Sequence, residues 1–308
     1  MFRKTFFLTL ILALFLAACG AAAPAPQAPA ATGISLIDGL DRVVKLSAPA
    51  QSIISIAPSN TEILFALGAG EQVIGRDTLS DFPPQAASVQ DVGSMYEALN
   101  TELLISLKPD LILAAEINSP EQVKALQDAG LTVFYLENPT TLEELYQNLN
   151  VVAKLTGREQ ESAALIESLQ ARVKAVDEKI APISSRFSVF YELDATDPAK
   201  PYTAGKGTFI SLLIERAGGT NIAGDMEGYP QISLEQVVAA DPQFIILGDA
   251  AYGVTPESIA ARPGWESLSA VKNGQVFAFD DNLVSRPSPR LVDGLEALAK
   301  LLRPELFK

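Results

Sequence analysis

Histidine is missing from this 308-residue sequence, and cysteine occurs once, at position 19. That removes imidazole acid–base chemistry, a Ser-His-Asp triad and histidine-held zinc or haem, leaving carboxylates, tyrosines and arginines. Asp194, Asp197 and Asp280-Asp281 fall in loops between apolar runs, where paired acids can hold a hard cation or act as acid and base. Their spacing matches no metal loop, so solvated loop acids are the better reading. A hydrolase working through Asp194 and Asp281 is the alternative. Gly205-Lys206-Gly207-Thr208 suggests a phosphate loop, but Lys200 stands where that pattern needs glycine, and Gly207 where it needs Ser or Thr. It reads as a glycine-rich helix entry lining a cleft. No catalytic residue, metal ligand or cofactor is assigned.

The sharpest pair of acids is Glu102 and Glu235. Each follows a capping residue by two positions, in Asn100-Thr101-Glu102 and Ser233-Leu234-Glu235. After each come an apolar helix, a proline (Pro109, Pro242) and an apolar strand, at a constant offset of 133. A repeated phrase in two parts of one chain puts the two glutamates in equivalent places. Loop aromatics form the second set. Phe82, Tyr96, Tyr191, Tyr202, Tyr229 and Tyr252 fall near expected strand ends, where α/β folds bind ligands. Tyrosine offers flat apolar area and a hydroxyl, which suits a large ligand of mixed polarity. Arg286 and Arg290 flank Pro287-Ser288-Pro289 and can face a carboxylate, phosphate or amide of a ligand. Trp265 is assigned to structure.

These residues must be positioned by alternating short elements. Ile34 to Leu46 alternates around Asp38-Gly39 as a hairpin; strand, helix, strand then repeat through Leu136 and again from Phe187 to Leu302. Such alternation predicts mostly parallel sheets flanked by helices. Capping boxes are expected at Ser59/Glu62, Thr141/Glu144 and Thr156/Glu159. Between the two runs, Thr141 to Ile180 reads as two helices in tandem. Leu165, Leu169, Val173, Val176 and Ile180 make one stripe on a helix of about 22 residues, roughly 33 Å long. The expectation is an α/β protein of two lobes, 34–138 and 183–308, joined through a connector, 139–182, with one long rigid helix. The cleft between the lobes is the working part.

Residues 1–19 read as a lipoprotein export signal: Arg3 and Lys4, an apolar Phe6 to Leu16, then Leu16-Ala17-Ala18-Cys19, with Cys19 the lipidation site. Residues 20–33, rich in Ala and Pro, form a tether. Without Arg3 and Lys4 the chain carries 21 Lys and Arg against 37 Asp and Glu. That balance excludes nucleic acid and adsorption on anionic lipid, and leaves room for a basic docking partner. The expected location is extracytoplasmic, tethered to the cell membrane.

From Arg42 to Leu302 the chain resembles the helical-backbone substrate-binding proteins of ABC importers for cobalamin, haem and iron-siderophores. The segments that carry the likeness are Ile56-Ala57-Pro58-Ser59-Asn60-Thr61-Glu62, Ser80-Asp81-Phe82-Pro83-Pro84, Leu107-Lys108-Pro109-Asp110-Leu111, Tyr202-Thr203-Ala204-Gly205-Lys206 and Ser285-Arg286-Pro287-Ser288-Pro289-Arg290. The Ser-Asp-aromatic-Pro-Pro stretch and the Arg-x-Ser-Pro-Arg ending are most similar to cobalamin-binding members. The resemblance implies a monomer that captures a metal chelate and delivers it unaltered to a permease. It implies that Glu102 and Glu235 dock on permease arginines. Tyr96 and Tyr229 would stand where cobalamin-binding members carry tryptophan, and either could serve a haem as axial ligand. A ligand-sensing domain without a permease is a further alternative.

Overall fold

The structure, a computed structural model, describes residues 33–94 and 99–308; Tyr96, Cys19, the expected export signal and nearly all of the tether lie outside the described residues. β1 (Ile34–Ile37) and β2 (Val43–Leu46) form the expected hairpin, with Ile34 opposite Leu46. Its turn is held by Asp38, whose carboxylate accepts the Leu40 and Arg42 N–H groups at 3.0 and 3.1 Å and pairs with the Arg42 guanidinium.

The first run contains β3 (Ile53–Ser55), α1 (Pro58–Ala66), β4 (Val73–Arg76), α2 (Thr101–Leu107), β5 (Leu111–Ala115), α3 (Pro120–Asp128) and β6 (Val133–Leu136). The connector is α4 (Leu142–Thr156) followed by α5 (Glu159–Ile180). The second run is β7 (Phe187–Glu192), α6 (Phe209–Arg216), β8 (Gly219–Asn221), α7 (Leu234–Ala240), β9 (Phe244–Leu247), α8 (Pro256–Ala260), α9 (Ser269–Lys272), β10 (Val276–Ala278), α10 (Asn282–Ser285) and α11 (Leu291–Leu302).

Two four-stranded parallel sheets result, β4-β3-β5-β6 and β8-β7-β9-β10, with the same strand order in each half. β5, β6 and β9 are buried along their whole length, as strands covered on both faces must be. The repeated phrase also folds twice in the same way. Asn100 caps α2 and Ser233 caps α7; both helices end on a non-glycine residue in the left-handed region, Lys108 (φ 49°) and Asp241 (φ 42°). Beyond each helix a serine is clasped from both sides. Ser52 N–H donates to Asp110 Oδ2, and the Asp110 N–H donates to Ser52 Oγ, both at 2.9 Å. Ser188 N–H donates to Gln243 Oε1 at 3.1 Å, and the Gln243 N–H donates to Ser188 Oγ at 3.0 Å.

The long helix α5 is packed along its length instead of standing free. Leu169, Val173, Val176 and Ile180 are buried in one cluster that also holds Leu149 of α4, Leu113 of the first sheet, Leu295 of α11 and Val189 of the second sheet. Charged ties flank the stripe: Arg172 reaches Asp293 and Glu296 at 2.5 and 2.7 Å, and Asp177 reaches Arg216 at 2.7 Å. The outer faces of the sheets bury separate clusters around Leu104 and Trp265.

None of the three expected capping boxes forms in full. Thr156 is the last residue of α4, where its hydroxyl donates to the Val152 carbonyl at 2.8 Å, so Arg158 precedes α5 without a side-chain cap. α1 begins at Pro58 behind Ala57, and the Glu62 carboxylate points away to partners described below. At Thr141 the hydroxyl accepts the Glu144 N–H at 3.2 Å as expected, while the Glu144 carboxylate takes the Thr140 N–H.

Candidate functional site

The carboxyl ends of both sheets open onto two cavities that share Tyr252. One, of about 440 Å³, is lined by Pro58 and Ser59 after β3, Glu116 and Ile117 after β5, Asn138 after β6, and by Tyr252, Arg286 and Pro287 from the second half. The other, of about 530 Å³, is lined by Asp194 and Thr196 after β7 and by Asp249, Tyr252 and Val254 after β9. Loops at strand carboxyl ends are where parallel α/β sheets present ligands, because the strand-to-helix turns converge there. Asn118 secures the first-half turns: its side-chain amide donates to the Ile56 carbonyl at 3.1 Å and its oxygen accepts the Ala115 N–H at 3.0 Å. Tyr252 is 90% exposed at the junction.

Beside the cavities a buried carboxylate joins the halves. Glu62 of α1 is 3% exposed and accepts from Arg290 Nε and Nη2 at 3.0 Å each, from Arg286 Nη1 at 3.1 Å and from Ser288 Oγ at 2.5 Å. Arg286 also pairs with Asp81 at 2.5 Å, and the Arg290 guanidinium lies 4.0 Å over the Phe82 ring. Arg290 is therefore turned to Glu62 and lines neither cavity, whereas Arg286 pairs with Glu62 and Asp81 and still lines the first cavity as expected of a cleft residue. The carboxylate they meet is Glu62 of the same chain, which their fixed forks hold in a satisfied buried network. Phe82 belongs to this cluster and lines a separate groove of about 660 Å³ beside Phe65 and Gln85, which shares no lining residue with the two cavities.

The second half has a titratable floor. Glu192, fully buried at the end of β7, accepts both Arg262 nitrogens at 2.6 and 2.9 Å; burial nevertheless pushes its pKa up to about 7. Asp249, 5% exposed, is raised by burial too, and its Oδ1 has no hydrogen-bond donor. Tyr191 is corrected as a cleft residue. Its ring is fully buried and its hydroxyl donates to Asp281 Oδ1 at 2.8 Å. Gly248 permits this passage, since a side chain there would meet the Tyr191 ring at 2.6 Å. Burial holds the Tyr191 phenol far above its ordinary pKa and raises Asp281, with Asp280 adding to the latter.

The other aromatic candidates lie at the surface. Tyr202 is 45% exposed, in an edge bridge to Asp194 and Gln231. Tyr229 is 56% exposed; loss of solvation raises its phenol pKa, with Asp281 and then Glu116 contributing. Trp265 is structural as expected, fully buried with its indole N–H donating to the Pro198 carbonyl at 3.2 Å. Glu102 and Glu235 are exposed in the first turns of α2 and α7. Glu235 is held below the usual carboxylate range by its own backbone N–H, then by Ser233 and Lys200.

Asp194 and Asp281 form no catalytic dyad. Asp194 closes its own loop by accepting the Thr196 N–H at 2.7 Å, and Asp281 is engaged by Tyr191. Among the described residues no three acidic or thiol side chains converge as a cation site. Sequence reasoning missed the Glu62 network and the Glu192–Arg262–Asp249 floor. For Glu62 a signal existed in Ser59-Asn60-Thr61-Glu62, but its local cap pattern concealed a partner more than 200 residues away.

A family model described as periplasmic binding protein matches residues 53–283. An uncharacterized ABC transporter substrate-binding lipoprotein of Bacillus subtilis, YvrC, is 35% identical over 309 residues, covering 97% of this chain and 96% of its own length. The periplasmic vitamin B12 binding protein BtuF of Vibrio cholerae is similar in structure, with a TM-score of 0.70, 30% identity and coverage of 84% of this chain and 99% of that one. The haem-binding protein RhuT of Roseiflexus sp. RS-1 gives a TM-score of 0.74 at 27% identity, over 83% of this chain and 99% of the other. Two like sheets joined by α5, a cleft at their carboxyl ends and a match over most of its length place this chain in the periplasmic binding protein family.

Proposed function

We propose that this protein is the extracytoplasmic substrate-binding component of an ABC importer, anchored through Cys19. It captures a metal-chelate nutrient between its halves and passes it on unaltered to the permease. A cobalamin-type corrinoid is the favoured ligand, and ferric siderophore or haem comes next. The observation that carries this reading is the pair of cavities meeting at Tyr252, at the carboxyl ends of two equivalent sheets. The YvrC likeness supports the importer role and the BtuF likeness the corrinoid.

Tyr252 offers a stacking face at the cleft, and the exposed Tyr229 ring is the second candidate for one. Glu102 and Glu235, equivalent by the repeat, offer the permease two carboxylates at matched positions. Each exposed pair with an arginine contributes about 0–1 kcal/mol, so the two set orientation and encounter rate more than affinity. Among the described residues no helix is long and apolar enough to cross a membrane. A thermal-shift screen with cobalamin, haemin and ferric chelates tests the ligand. At 100 times its dissociation constant the true ligand adds about 2.7 kcal/mol, and no shift with any of them removes the metal-chelate reading.

A further inference from the structure

The charge of the cleft narrows the ligand class, on the premise that the importer reading holds. Three carboxylates line the two cavities that share Tyr252: Glu116 from the first half, and Asp194 and Asp249 from the second. Arg286 is the one base among the described lining residues, and it is engaged by Glu62 and Asp81. No described cation of the lining is left to meet a ligand. Behind the wall the balance is the same. Arg262 gives both forks to Glu192 and acts on Asp249 only as a nearby charge; Asp249 is 5% exposed, its carboxylate is engaged by Glu192 and the Ala195 N–H, and its Oδ1 has no donor. Asp280 and Asp281 add further negative charge from beside Tyr191.

A cavity lined by one sign of charge focuses its field on whatever enters. An anionic ligand would surrender its hydration to meet unpaired carboxylates, which is how a site rejects a competitor of similar shape. A buried acceptor without a donor, by contrast, rewards a ligand that brings one. We propose that the cleft selects a neutral or cationic chelate rich in N–H donors, such as one bearing amides or an ammonium group, over a chelate carrying carboxylate or phenolate charge. Asp249 is the acceptor on the second half, and Glu116 and Asp194 set the sign of the cleft.

Calorimetric titration of the whole protein with four probes tests this: cyanocobalamin (neutral, amide-bearing), ferrioxamine B (cationic), haemin (two carboxylates) and ferric enterobactin (trianionic). The expected result is that cyanocobalamin or ferrioxamine B binds at least about tenfold more tightly than either anionic probe. Glu116→Gln with Asp194→Asn, both at exposed positions, should shrink that ratio by about threefold or more, and Asp249→Asn should weaken the preferred probe. Tighter binding of haemin or ferric enterobactin overturns the charge assignment and leaves the importer reading standing. Binding of none of the four overturns both. Unchanged affinity in Asp249→Asn removes Asp249 as the acceptor. The wild-type series needs no variant, so a folding defect at Asp249 cannot mask the outcome.

Discussion

Glu62 and Arg290, separated by 228 positions, meet through two hydrogen bonds of 3.0 Å and so tie the first helix of one half to the start of the last helix of the other. Arg286 and Ser288 complete the shell around the same carboxylate. Removing Glu62 would leave the Arg290 guanidinium without a counter-charge, and Arg286 with only the more exposed Asp81. Glu62→Ala should therefore cost about 3–5 kcal/mol in urea unfolding. A loss under about 1 kcal/mol would show that the network does not hold the halves together.

The connector makes a separate prediction, because α5 is stabilised by its buried stripe and not by its exposed face. Leu169→Ala should cost about 2–5 kcal/mol, while Lys174→Ala, on a side chain 76% exposed, should stay within about 0.5 kcal/mol. Equal effects at the two sites would contradict the packing described.

Glu192 predicts a pH dependence with a definite sign. Its pKa rises from 4.5 to about 7 on folding, so the folded chain keeps a proton that the unfolded chain releases. The stabilisation from that proton is complete below pH 4.5 and is lost as pH climbs through about 7. Asp249, raised in the same direction, shares the titration, and the apparent pKa values belong to the pair. Across that window wild type should lose roughly 2–3 kcal/mol more than Glu192→Gln, measured by denaturant titration at a series of pH values. Parallel curves for the two proteins would place the burial penalty elsewhere.

Binding should move the halves only slightly, since both α5 and the Glu62 network bridge them. The radius of gyration by solution scattering should change by no more than about 1–2 Å on ligand addition. A change of several ångströms would mean that the network opens during binding.

Reversal of the docking acids should leave the fold alone. Glu102→Arg with Glu235→Arg should shift stability by less than about 0.5 kcal/mol per site, because both side chains are exposed. The same protein should lose its complex with the cognate permease in a pull-down or kinetic assay. Full retention of that complex would remove the permease role of the two glutamates.

The sequence by itself determined the repeat and the α/β alternation. Asn100 and Ser233 each cap a helix by accepting the N–H three residues on, Leu111–Ala115 and Phe244–Leu247 are apolar runs of strand length, and α11 begins and ends where its periodicity does. Those signals act over a few residues, so they survive in any linear reading. Only the tertiary structure decided that Glu62 turns from its own helix to Arg290, that Thr156 ends one helix instead of opening the next, and that Tyr191 sinks beneath Gly248 to reach Asp281. Each of those outcomes depends on a partner brought close by the packing of two sheets, and a carboxylate or hydroxyl takes the strongest donor or acceptor within reach after packing, whatever its neighbours in sequence suggest.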